Sequence, residues 1–345
     1  MDSFRQVKYI ILLLCVPFLM WGLWGNYYGE GNFKLAHDLY EESYQLNILQ
    51  IFSNNLELDT KKEIHITTED VNKDLWPTSE IKEAVQKGLF SFGCLYLEHL
   101  RKEDPIFEMD SIPFLATDYE QAQILWKVTR PYIESKFNQS GLVYLFSIPC
   151  SPQDLYLNKS MDNLSVLRVL KIRTYGKILP EYVSLLGMNP VLFKGPKEFK
   201  KLQEGQVDGF FGSRNSAFLS QTSIFASYYY RLKYSLPKYV VVMNIKDFEA
   251  LSPDAKNNLF LQAKKMEMLA WRMSQTDDQR RQHLFKQLPI PEWFKKRSLE
   301  VTSTMIKDWK SRAGDLGQKL LDAYKNALIE SGKPLPPALG GQMDS

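Results

Sequence analysis

Along this chain, short apolar runs alternate with stretches in which apolar side chains return every three or four positions. Residues 33–38, "FKLAHD", read as a short strand, and Tyr44, Ile48, Ile51 and Leu56 then mark one face of a helix. "EIHITT" (63–68) alternates like a strand, "SEIKEAVQKGL" (79–89) reads as a short helix with a Ser cap, and "FSFGCLYL" (90–97) is an apolar strand. "SIPFL" (111–115) turns into a helix over 116–137, and "GLVYLFSIP" (141–149) is again a strand. The second half repeats the logic. "VLKIRT" (169–174) is a strand and "GKILPEYVSLLG" (176–187) a helix ending at Gly187. "NPVLF" (189–193) is a strand, "PKEFKKLQEG" (196–205) a helix, "VDGFFG" (207–212) a strand into a loop, and "YVVVMN" (239–244) a fully apolar strand. From Ser252 to about Leu288 the pattern is helical, and a last long helix covers roughly Ser303 to Ser331. "GKPLPPALGGQMDS" (332–345) reads as a loose tail. Strands that alternate with helices predict parallel sheets in an α/β protein.

The chain has 345 residues. Single cores stop growing beyond ~250–300 residues, so two domains or lobes are expected. A net charge of +3, from 43 basic and 40 acidic residues, gives no electrostatic footprint for nucleic acid.

The N-terminus changes the class. Arg5 and Lys8 precede an apolar run from Tyr9 to Trp24, a charged n-region followed by an h-region. No good small-x-small cleavage site follows, and Trp21 and Trp24 would suit a membrane interface. Residues 1–31 are therefore read as a signal peptide or an N-terminal membrane anchor, with a tether through residues 9–24. Either way the bulk of the chain is placed in the periplasm or outside the cytoplasm, and a retained anchor would hold it at the inner membrane. Export permits a disulfide between Cys94 and Cys150; two isolated buried thiols are the alternative.

Catalytic signatures are missing. None of the histidines lies in an HExxH, no G-x-S-x-G elbow or Gly-rich phosphate loop occurs, and no Cys/His spacing suits zinc. An enzyme is disfavoured, and no metal or cofactor is expected. The unusual residue is Arg173, a cation in the apolar strand 169–174. It either pairs with a structural acid or edge solvent, or faces a cleft. In open α/β sheets ligands gather at the carboxyl ends of strands, and a guanidinium there suits a carboxylate through two parallel hydrogen bonds.

The order of "LKIRTYGKILPEYVSLLGMNPVLF", "EFKKLQEGQVDG" and "YVVVMNIKDFEALSPDAKNNL" resembles the solute-binding proteins of tripartite ATP-independent periplasmic (TRAP) transporters. Gly187, Pro190, Leu202, Gln203, Gly205, Val207, Asp208, Gly209, Asn244, Leu251 and Ser252 fall in register, and "FKLAHD", "KGLFSFG" and "MDSIPFL" also fit. The resemblance implies an α/β, two-lobed periplasmic-binding-protein fold (type II, Venus-flytrap) with long C-terminal helices. Lobe I would take residues 32–148 plus about 243–285. Lobe II and a lobe-spanning helix would take 149–242 plus about 286–332, leaving 333–345 as the tail. It also implies an organic acid bound between the lobes and delivered to a TRAP-type membrane permease. The alternative is a ligand-sensing or envelope-interaction protein of the same fold that has lost the transport role.

The selectivity Arg of the family falls on Arg173. A second Arg that many members carry falls near Gln153, which donates hydrogen bonds but no charge. The family's Asn after V-D-G falls near Gly212, with Asn215 close by. The resemblance and these departures give Arg173, Gln153, Phe211, Asn215, Tyr234 and His37 as candidate ligand contacts. They imply a monocarboxylate with an apolar or aromatic body. Packing is the competing reading for Phe211, Tyr234 and His37.

Overall fold

A computed structural model describes residues 31–39, 43–71, 80–192, 204–213, 227–280 and 286–343. Strand β1 (Asn32–His37) leads into helix α1 (Tyr44–Asp59), whose first turn is capped by Ser43, its hydroxyl accepting from the Leu46 amide at 3.2 Å. Strand β2 (His65–Asp70), helix α2 (Ile81–Gln86) and strand β3 (Phe92–Tyr96) follow. Two 3₁₀ segments, Leu97–Leu100 and Pro105–Ser111, then precede helix α3 (Tyr119–Gln139), capped by Asp118. Next come β4 (Leu142–Pro149), β5 (Asp154–Leu157), β6 (Lys171–Thr174), α4 (Ile178–Leu186), β7 (Asn189–Leu192), β8 (Gly209–Gly212), β9 (Tyr228–Tyr230) and β10 (Lys238–Asn244). Helices α5 (Ile245–Ala250) and α6 (Pro253–Arg280), the short β11 (Gln287–Leu288) and helix α7 (Glu292–Glu330) complete the described elements.

These strands form two sheets. The first has the order β2-β1-β3-β10-β4 and the second β11-β9-β5-β8-β6-β7. Helices α1 and α6 cover one face of the first sheet. Phe52 and Leu56 of α1 and Leu259 and Met266 of α6 are buried with Leu35, Phe92, Phe146 and Val241. Each such side chain removed from water contributes ~1.5–3 kcal/mol. The other face is covered by α3 and the C-terminal half of α7, through Trp126, Phe137, Trp309, Tyr324 and Leu328. The second sheet packs against α4 and the N-terminal part of α7, through Leu179, Tyr182, Phe294, Val301 and Met305. Helix α7 thus serves both lobes. It bends at Gly314, whose φ of 59° and ψ of −148° only glycine adopts readily.

The chain crosses between the lobes at residues 150–153 and again at 231–237, and the two crossings are bonded to each other. Cys150 N donates to Pro237 O at 2.8 Å, Gln153 N to Ser235 O at 3.1 Å and Tyr234 N to Gln153 O at 2.8 Å. Phe114 joins them. It holds a positive φ of 56°, donates its N–H to Tyr234 O and buries its ring in the second core, while Ile112 and Leu115 stay in the first.

Five expectations need correction. The sheets are mixed: β10 runs antiparallel to β3 and β4, and β5 antiparallel to β8 and β9. Gln287–Leu288 form a strand beside β9 and do not extend α6. The last helix starts at Glu292, eleven residues before Ser303. The segment read as a loose tail is packed: Ala338 N donates to Phe114 O and Gln121 Nε2 to Pro334 O. Finally, Cys94 and Cys150 are both free thiols, buried separately, so no disulfide joins them. The helix expected at 196–205 falls mostly outside the described residues, as do Asn215, Ser79 and the export segment. Among the described residues no helix is long and apolar enough to cross a membrane.

Candidate functional site

The carboxyl ends of β3 and β6 meet between the two lobes. Arg173 stands on β6, opposite Val191 of β7 and Phe210 of β8, and is half-buried. Its guanidinium carbon lies 5.0 Å from the centroid of the Tyr175 ring, a cation–π contact. Tyr175 reaches the other lobe: its ring centroid is 6.4 Å from that of Tyr96 at the end of β3. Tyr96 in turn packs edge-on against His99 and tilted against Tyr239, each at 5.1 Å. Arg173 is therefore presented at a strand end, on the side of the second lobe that faces the first.

Gln153 supports this arrangement from below. Its Oε1 accepts from the Tyr175 hydroxyl at 2.8 Å, while its Nε2 donates to Ser151 O at 2.7 Å. Gln153 is buried. It acts as a strut that fixes Tyr175, and through Tyr175 the plane on which Arg173 rests. Tyr234 is buried in the second core, stacked on Tyr182 at 5.7 Å with Phe211 edge-on at 5.0 Å. Its hydroxyl still belongs to the site, interacting with Tyr175 and Ser235. Burial pushes the phenols of Tyr96, Tyr175 and Tyr234 up, so all three remain neutral donors.

Phe211 is fully buried and shapes the site only through the Tyr234 and Tyr182 rings. His37 is buried as well. Its Nδ1 accepts from the Leu39 amide at 3.2 Å, which fixes the turn leaving β1. Beside it Asp38 is pushed up to about 7, mainly by burial, with Asp70 adding to the rise.

Sequence reasoning missed the 3₁₀ segment that follows β3. Glu98, buried there, crosses to the second lobe: its Oε1 accepts from the amides of Lys177 at 2.5 Å and Ile178 at 2.7 Å. Helix α4 has no side-chain cap of its own; Glu98 supplies one from the opposite lobe. One turn later Arg101 pairs with Glu108 at 2.6 Å and with Glu181 of α4 at 3.5 Å. Arg312 of α7 closes the network on Glu108 at 2.5 Å. Burial pushes Glu98 up to about 7, against the pull of the two amides. Burial and Lys177 hold His99 down, at about 4, so it is neutral. The sequence shows only two charges, Glu98 and Arg101, directly after an apolar strand, and nothing in it points to the α4 amides. Among the described residues no group of His, Cys, Asp and Glu could hold a metal.

A family model for bacterial extracellular solute-binding protein, family 7 (DctP), matches residues 35–310. The chain belongs to this family. No curated protein matches the sequence. Among solved structures, this solute-binding protein is similar to DctP7 of Bordetella pertussis, an extracytoplasmic solute receptor binding pyroglutamic acid. The identity is 26%, with 85% of this chain and 99% of that chain covered and a TM-score of 0.80. DctP6 of the same organism, also described as binding pyroglutamic acid, is 26% identical over 86% of this chain and 99% of that one, with a TM-score of 0.80. A marine metagenome TRAP solute-binding protein, solved with co-purified pyroglutamate, is 24% identical over 86% of this chain and 98% of that chain, with a TM-score of 0.77; it shows the fold alone. The two-lobed fold of this solute-binding protein is that of the neighbouring receptors.

Proposed function

We propose that this chain is the extracytoplasmic receptor of a TRAP-type transporter, binding a small organic acid between its lobes and passing it to a membrane permease. The observation that carries the reading is Arg173: it stands at a strand end facing the opposite lobe, held on Tyr175, within a chain matched by the family over residues 35–310. A planar guanidinium there would take a carboxylate through two parallel charge-assisted hydrogen bonds. The second family cation is replaced by Gln153, whose amide is engaged by Tyr175 and Ser151. A ligand with a single carboxylate fits this charge count. The pyroglutamate bound by the two Bordetella pertussis receptors is such an acid, and it is the first ligand to try. Residues 1–31 would export the chain or tether it at the membrane.

Binding would follow hinge closure. Ligand bridging both lobes stabilises the closed form by its differential affinity for that form. The test is a thermal-shift screen of the purified chain against organic acids, with pyroglutamate first. A ligand that binds only the folded state adds ~2.7 kcal/mol at a hundredfold excess over its dissociation constant. A shift that disappears in Arg173→Ala is expected. Silence across a broad acid library, from a protein that melts cooperatively, would reject the receptor reading.

A further inference from the structure

The cleft contains an acid that the family comparison leaves without a role. Glu98 accepts two amides at the start of α4, from the opposite lobe. That helix start lies directly after the stretch of chain that carries Arg173 and Tyr175. Gly176, between Tyr175 and Lys177, has a φ of +64°, and a Cβ there would come within 2.5 Å of Glu98 Oε1. The backbone is thus shaped to receive this carboxylate. Helix α4 runs for nine residues, so its N-terminus carries the usual partial positive charge, and an anion is stabilised there.

We infer that Glu98 is a specificity-determining residue: it occupies the anion position at the start of α4 and rejects ligands with a second carboxylate. The inference rests on the receptor reading above. A ligand held by Arg173 sits in the same gap between β3 and β6. A second carboxylate reaching for the α4 amides would find them engaged, and would meet Glu98 in a site from which water is largely excluded. Like charges cost most where solvent cannot screen them. A neutral or N–H-bearing far end meets an acceptor instead. The groups facing Glu98 leave this balance intact. Arg101 is shared with Glu108 and Glu181, Asp110 adds negative charge, Lys177 contributes its amide, and Tyr96, Tyr234 and His99 are neutral.

The experiment is titration calorimetry of the full chain with L-pyroglutamate and with glutarate at pH 8. Wild type is expected to favour pyroglutamate by at least ~100-fold. Glu98→Gln keeps an oxygen for the α4 amides but carries no charge, and should narrow that ratio at least ~10-fold, chiefly by improving glutarate. Lowering the pH from 8 to 6 should narrow the wild-type ratio in the same direction, because Glu98 takes up a proton in that window. Asp38 titrates there too, so the pH series is repeated in Asp38→Asn, where the narrowing should persist. A ratio unchanged in folded Glu98→Gln would overturn the inference. If that variant does not fold, a ratio flat with pH in Asp38→Asn would overturn it. Both results leave the receptor reading standing. Wild type that binds neither these acids nor any other would overturn the receptor reading, and this inference with it.

Discussion

Lys238 opens β10 immediately after the second crossing, and only 1% of its side chain is exposed. Its ammonium lies 3.4 Å from Asp110 Oδ2, whose side chain is 8% exposed, and sits over the rings of Trp126 and Trp271 at 5.7 and 5.8 Å. Replacing it with methionine keeps the stem and removes the charge. At this separation, with an effective dielectric of 20, the lost attraction is roughly 5 kcal/mol, but desolvation of both ions offsets much of it. The larger effect is the Asp110 carboxylate left behind in a buried site. Breaking such a pair from one side costs ~3–5 kcal/mol. That is a large share of the ~5–15 kcal/mol that holds a domain together.

The sign of the pH dependence follows from the same geometry. Burial already pushes Asp110 above the usual carboxylate range, and Lys238 pulls against it. Without Lys238 the native acid holds its proton to higher pH than the unfolded one. Stability then falls as pH rises from the unfolded value through the folded one. Urea unfolding of Lys238→Met should show the full ~3–5 kcal/mol loss at pH 8 and a smaller loss at pH 5. Adding Asp110→Asn should recover at least ~2 kcal/mol, a coupling that only a direct pair gives. A single-variant loss under ~1 kcal/mol at pH 8, or additive effects in the double variant, would refute the reasoning.

Four further outcomes are expected. Gly209→Ala places a methyl group against the Tyr156 carbonyl and 2.5 Å from Leu157 Cδ2, so it should lower stability by ~1–3 kcal/mol in urea, through strain between β5 and β8. Gly314→Ala meets no atom within 4 Å but cannot hold the bend comfortably; a loss of ~1–3 kcal/mol is expected, and no change in melting temperature would contradict it. Cys94 and Cys150, their thiols pushed up by burial, should resist a thiol reagent in the native chain and react only on unfolding; rapid native labelling of either would sink this reading. Tyr175→Phe removes the hydrogen bond to the buried Gln153 and frees the support of Arg173, so acid affinity should fall several-fold and stability by ~1–3 kcal/mol; calorimetry and urea unfolding decide.

Strands β3, β4 and β10 were legible because their side chains are buried on both faces, whereas β2 was read from its alternation. Every residue of β3 and β4 is buried, and such runs stand out in any sequence. The strands that were missed are β5, which opens on a charged residue, Asp154, and β9 and β11, of three and two residues, too short for periodicity to speak. Strand direction was legible only as a default. The antiparallel run of β10 arises because the chain returns from the other lobe, which no local pattern encodes. Of the site, Arg173 stood out as a charge in an apolar run. Gln153 stood out only by register with the family and Tyr234 only by its place before β10; the structure makes one a strut and the other a core ring with its hydroxyl at the site. Glu98 was invisible because its partners are backbone amides some eighty residues away. Neither residue type nor spacing announces such a partner.

The contacts between the lobes fall into two groups of different kind. The crossings at 150–153 and 231–237 are bound by backbone hydrogen bonds, with Phe114 clamped between them and the tail. They lie in buried surroundings, where a broken bond is expensive. Glu98 to α4 and Arg101 to Glu181 are instead side-chain contacts across the gap. Rotation of one lobe against the other would sever the second group and need only bend the first. The cost of opening is then set by Glu98, whose buried carboxylate regains water as it leaves the α4 amides, and that gain offsets the lost hydrogen bonds. A residue balanced in this way holds the lobes together weakly enough for a ligand to enter. Its partner amides follow Arg173 by four and five residues, so closure and selection would fall to the same side chain.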